Sequence, residues 1–224
     1  MSQDFSPLAI AFLGTTVLAI YLFARAHRTP KKLATILIGY TIAQYAIGAT
    51  GFYQNTDALP PRFFLNILPG IVAIFWLFFS KSGKSLLAGL NHEKLVLVHL
   101  VRVPVELVLY GLFVSSQIPQ IMTFEGNNFD IIMGLTAPAI WYFGYGRGMI
   151  SPGLIKIWHY VGLLLLINIV ATAILAAPFP FQQIAFEQPN IGILQAPFNL
   201  LPAVVVPLVV AAHFIGLRKA NQKP

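Results

Sequence analysis

The sequence predicts an all-α polytopic membrane protein, a single bundle of seven transmembrane helices over residues 1–224, N-terminus outside and C-terminus cytoplasmic. Three observations lead there. Apolar residues make up 57% of the chain and charged residues 9%, against about 25% charged in a soluble domain, so lipid rather than water must cover most of the surface. Seven apolar stretches approach the roughly 20 residues that a helix needs to cross a bilayer. Of the 14 Lys and Arg residues, all but Arg62 and Arg102 fall in alternate connections, as the positive-inside rule requires of cytoplasmic loops.

The predicted spans are Pro7–Ala24, Leu33–Tyr53, Phe63–Ser80, Leu95–Val114, Ile131–Gly146, Leu154–Ala177 and Pro197–Leu217. The first lacks a basic residue ahead of it and reads as a retained anchor. The fifth is short and carries Pro138, and the seventh carries Pro202 and Pro207. Membrane helices tolerate such prolines because neighbouring helices and waters satisfy the freed carbonyls. A short interfacial segment is expected over Ser85–Lys94. The connections Ser115–Asp130 and Pro178–Ala196 are long, polar and aromatic, which suggests ordered caps.

The basic connections hold Arg25, Arg28, Lys31 and Lys32; Lys81, Lys84 and Lys94; Arg147 and Lys156; and Arg218, Lys219 and Lys223. The other side holds Arg62 with Asp4, Asp57, Glu125, Asp130 and Glu187. This bias places the chain in the plasma (inner) membrane with the basic loops inside. No nucleic-acid-binding module fits between the spans. There is no cysteine, which excludes disulfides, thiolate metal sites, cysteine-ligated iron–sulfur clusters and covalent c-type haem.

The fourth span carries the most chemistry. His99, Arg102, Glu106 and Tyr110 recur at helical spacing and form one polar stripe. Arg102 and Glu106, four residues apart, are expected to pair. A charge at that depth costs about 2.5–3.5 kcal/mol or more, so the stripe should face the bundle interior. Gln44 of the second span, with Tyr40 and Tyr45, is expected to join the same pathway. The outer acids Glu125, Asp130 and Glu187 are expected to form a cap in which one of them pairs with Arg62. Trp141 and Trp158 read as part of the aromatic belt.

The histidines form a second constellation. His99, His159 and His213 each lie four or five residues inside a span, roughly 6–8 Å from its cytoplasmic end. If their faces converge, three imidazoles suit a metal and two suit a haem, although no spacing signature such as HxxxH links them. The outer connections share a short pattern, Q-x-x-x-F-E-x-x-N, at Gln120–Asn128 and Gln182–Asn190, a faint hint of duplication.

Two seven-helix classes are disfavoured. The last span has no lysine to hold retinal, and His213 has no histidine four residues away, as seven-helix zinc hydrolases have. The strings His99-x-x-Arg102-x-Pro104-Val105-Glu106, Phe124-Glu125-Gly126-Asn127-Asn128-Phe129-Asp130 and Gly134-Leu135-Thr136-Ala137-Pro138 resemble uncharacterised bacterial seven-helix membrane proteins. That resemblance implies the architecture and no activity. The expected function is a small-solute or ion transporter or channel, proton-linked through Arg102, Glu106, Tyr110 and Gln44. The alternatives are a metal- or haem-binding membrane enzyme or redox protein using His99, His159 and His213, and a sensor or assembly subunit. The expected partners are the bilayer and a small molecule or ion.

Overall fold

A computed structural model describes residues 6–220; Asp4, Lys223 and the side chain of Lys219 lie outside what it describes. The chain is all-helical, with no strand among the described residues beyond a single bridge between His27 and Leu90. Helix α1 is Pro7–Arg25, α2 Pro30–Ala49, α3 Phe64–Phe79 and α4 Lys81–Ala88. Helix α5 runs from His92 to Val114 and α6 covers Ile131–Ala139, continuing as a π-helix over Ile140–Gly146. Helix α7 is Pro152–Leu175, and α8 is Val206–Ala220, preceded by a π-turn at Leu201–Val205.

Four helical stretches among the described residues are long and apolar enough to cross a membrane: Pro7–Arg25, His92–Val114, Pro152–Leu175 and Leu201–Arg218. A fifth is added if α3 and α4, bent by 82° at Ser80, count as one broken span. The predicted second and fifth spans are helical but not among these. The interfacial segment expected over Ser85–Lys94 starts earlier, as α4. Its start is fixed by the Ser80 hydroxyl, which accepts from Gly83 N at 2.8 Å, an N-cap that ends α3 and turns the chain. Ser6, Asn91 and Ser151 cap α1, α5 and α7 in the same way.

The irregular stretches follow the prolines. Pro104 has no N–H and its ring crowds the carbonyl of Leu100, four residues back; Leu100 lies in Val96–Val101, which tightens into a 3-10 helix. Pro138 precedes the π-helix of α6, and Pro202 lies inside the π-turn before α8. At Pro69-Gly70, α3 crosses α8 so closely that a Cβ on Gly70 would stand 2.5 Å from Pro207.

Connections sort onto two ends of the bundle. At one end Arg28 N donates to Gly89 O, Asn91 N donates to Ala26 O, and His92 meets Tyr145 edge-on. At the other, Gln188 Nε2 donates to the carbonyls of Phe113 and Ile118, and Gly192 N donates to Gln117 O. The core lies between α1, α5 and α8, around Phe12, Phe23, Leu95, Val101, Leu112 and Val204. The outer faces are apolar too. Ile36 and Ile42 of α2, Leu68 and Phe75 of α3, and Ile157, Leu164 and Ile167 of α7 are exposed. So much bare hydrocarbon on long helices is a surface for lipid.

Candidate functional site

The polar stripe of α5 faces inward: His99, Arg102 and Glu106 are all buried. Their partners come from the connection after α5 and from α7 and α8. Arg102 Nη1 donates to Asp130 Oδ1 at 3.2 Å, the only salt bridge among the described residues. Arg102 Nη2 donates to Gly162 O at 3.3 Å and approaches His213 Nε2 at 3.1 Å. Glu106 Oε1 accepts from the Asn128 amide, while Oε2 is buried with no partner among the described residues. Asn128 also donates to Met122 O and accepts from Asp130 N. One asparagine thus folds the loop so that Asp130 enters the bundle.

Three expectations are corrected here. Arg102 pairs with Asp130, not Glu106, because the loop delivers a carboxylate to the guanidinium and Asn128 holds Glu106 aside. Asp130 is therefore buried, not part of an outer cap; Glu125 and Glu187 are exposed. Arg62 pairs with none of these acids: its guanidinium lies over the Phe52 ring, 5.1 Å from the centroid. Tyr110 is one turn beyond Glu106, its ring stacked on Phe124 at 5.0 Å.

Gln44 belongs to a different network. Its Oε1 accepts from Tyr53 at 2.7 Å, its Nε2 donates to Tyr40 at 3.3 Å, and its carbonyl accepts from Asn199. Asn66 Nδ2 in turn donates to Asn199 O, so this set ties α2 and α3 to the start of α8. Asn128 and Asn190, equivalent in the repeated loop pattern, do different work: Asn190 donates to Ala173 O.

His99, His159 and His213 converge. One ligating atom from each lies within 4.8 Å of the others, and all three side chains are fully buried. His159 Nδ1 and His213 Nδ1 are 3.0 Å apart. The directions of these bonds follow from Arg102. A guanidinium can only donate, so His213 Nε2 accepts and the His213 proton sits on Nδ1. That N–H donates to His159 Nδ1, which leaves the His159 proton on Nε2. Metal-bound histidines normally donate their second N–H to an acceptor; Arg102 gives His213 the opposite partner. The His99 and His213 ring centroids lie 3.9 Å apart, so no slot for a porphyrin separates them.

Sequence reasoning missed what makes room for these rings. A Cβ on Gly162 would stand 2.3 Å from His213 Cε1, and one on Gly216 would stand 2.2 Å from His159 Nε2. Each glycine follows the histidine of its own helix by three residues and receives the histidine of the other. The signal was present as H-x-x-G in both helices, His159–Gly162 and His213–Gly216. Trp158, read as belt, closes the cluster instead. Its indole N–H donates to Thr136 Oγ1 at 2.9 Å, and its ring meets His99 edge-on at 5.1 Å.

Beside the charged groups lies a cavity of about 210 Å³ between α3, α5, α7 and the π-turn before α8. Its wall is apolar, with Phe63, Leu109, Leu166 and Pro202 among the lining residues, except where Glu106 and Asp130 reach it. Comparison with known protein families, curated proteins and solved structures gives no match.

Proposed function

We propose that the chain is a proton-linked transporter or channel for a small solute or ion in the plasma (inner) membrane. Seven helices cross the bilayer, with the N-terminus outside and the C-terminus in the cytoplasm. The sorting of the connections onto two ends of the bundle, basic at one end, supports that topology. The observation that carries the functional reading is the apolar cavity walled by Glu106 and Asp130. An ionisable side chain facing a cavity at membrane depth is costly unless it binds or carries something. Glu106 is the group that exchanges a proton or engages the solute, and Arg102 holds Asp130 as a fixed counter-charge. Beyond Arg102, which only donates and is no relay itself, the bonded imidazoles His213 and His159 lie on the side of the basic end and are the buried groups there that can pass a proton on.

The test uses proteoliposomes loaded with a pH-sensitive dye and exposed to an imposed pH gradient. Purified protein should speed dissipation of the gradient, and Glu106→Gln should abolish that flux while helicity and monodispersity survive. Flux unchanged in Glu106→Gln overturns the assignment.

A metal-dependent enzyme or redox protein is the second reading. It is favoured by His99, both of whose ring nitrogens are buried without a partner among the described residues. Unsatisfied buried groups cost about 1–3 kcal/mol each, and an ion would relieve that. If the proton-transfer reading holds, protein purified in zinc-supplemented medium and dialysed contains less than one equivalent of metal. Stoichiometric metal lost on His99→Ala would favour the enzyme instead.

A further inference from the structure

Two cavities of about 400 Å³ each draw lining residues from the ends of α1 and α4. The first is polar. It is lined by Arg25, His27 and Arg28 after α1, and by Asn91, His92 and Lys94 at the start of α5. Its floor is built, not incidental. The His27–Leu90 bridge ties the two connections together, and a Cβ on Gly89 would stand 2.4 Å from His27 Nε2, so the imidazole packs on bare backbone. His27 Nδ1 accepts from Thr29 N at 3.0 Å, which fixes the ring. Arg25, Arg28 and Lys94 line this cavity together with no acidic residue.

The second cavity is an apolar groove between α2, α3 and α8, lined by Leu33, Leu37, Ala73, Leu77, Ala203 and Ala211 among others. The two are lined by near neighbours in the chain. Phe23 lines the groove and Arg25 the basic cavity; Leu86 lines the groove and Ala88 the basic cavity. From Leu33 to Tyr40 the groove follows α2 for about 10 Å at 1.5 Å per residue, about the length of half an acyl chain. A cationic cavity and an apolar groove lined by such close neighbours match the two ends of a phospholipid with a negatively charged headgroup.

We propose that these cavities form one site for an anionic phospholipid, with the phosphate held by Arg25, Arg28 and Lys94 and one acyl chain in the groove. The groove selects a lipid over a free phosphate, which has no use for it. The site is separate from the Glu106 cavity and does not depend on the transport reading.

Binding is measured on the full chain in detergent by native mass spectrometry. The probes are long-chain phosphatidylglycerol, long-chain phosphatidylcholine, short-chain phosphatidylglycerol and inorganic phosphate. Long-chain phosphatidylglycerol should bind at least about tenfold tighter than phosphatidylcholine. The triple variant Arg25→Gln/Arg28→Gln/Lys94→Gln should remove that preference, and Lys156→Gln, outside the cavity, should keep it. Ala73→Phe, which fills the groove, should weaken the long-chain lipid and leave the short-chain one unchanged. Equal binding of both headgroups, or a preference that survives the triple variant, overturns the headgroup assignment. Competition by inorganic phosphate at lipid-like concentration, with no effect of Ala73→Phe, overturns the lipid in favour of a soluble phosphate.

Discussion

Replacing Arg102 with methionine should destabilise the protein by about 3–5 kcal/mol, the usual cost of removing one partner of a buried ion pair. Asp130 would be left as a buried carboxylate without its counter-ion, and Gly162 O and His213 Nε2 would lose a donor together with it. An exposed pair would lose only about 0–1 kcal/mol, so the magnitude separates the two situations. Arg102→Met/Asp130→Asn should recover most of the loss, because the stranded charge is gone. Arg102→Lys should recover little, since an ammonium cannot reproduce the planar fork that reaches Asp130, Gly162 and His213 at once. The measurement is thermal and denaturant unfolding in detergent, run as a double-mutant cycle. Near-native stability in Arg102→Met would mean that the guanidinium is solvated in the membrane-embedded protein.

That pair also shows where sequence reasoning stopped. The helices were legible because apolar runs and prolines are local signals. Pro138 and Pro202 mark real irregularities, whereas the caps Ser80 and Asn91, which start helices at Lys81 and His92, fall inside stretches read from hydropathy alone. The inward face of α5 was legible too, because the spacing of His99, Arg102 and Glu106 is a property of one helix. The partner of Arg102 was not. The i, i+4 rule offers only neighbours on the same helix, whereas Asp130 arrives 28 residues later by a loop whose path is set by Asn128. The common depth of the three histidines was legible, but depth alone does not fix which way the rings face. Gln44 shows the same limit: it is polar, buried and mid-helix, yet it turns to Tyr53 and Asn199 instead of Arg102.

The glycines that decide the facing yield the second large effect. Gly162→Ala or Gly216→Ala should each cost about 1–3 kcal/mol, the range for forcing volume into a packed interior. A helical glycine replaced by alanine ordinarily gains up to about 1 kcal/mol, so the sign itself is diagnostic. Gly14→Ala and Gly39→Ala supply the control. They sit in α1 and α2 with nothing within 4 Å of the added Cβ, and should be neutral or stabilising. At Gly162 the added methyl meets the His213 ring and at Gly216 the His159 ring, both fully buried. The His159–His213 bond must then break or the helices must part. Gly162→Ala/His213→Ala should therefore be less damaging than the sum of the single changes, with a coupling of about 0.5–3 kcal/mol. Strict additivity would show that the ring is free to move and that the notch is not what seats it. The Glu106-dependent flux offers a second readout on the same variants. If the route runs through His213 and His159, Gly216→Ala should slow flux in protein that remains folded, while Gly14→Ala should leave it unchanged. A folded Gly216→Ala variant with full flux would detach the histidine chain from transport and leave the carboxylates as the only site for the proton.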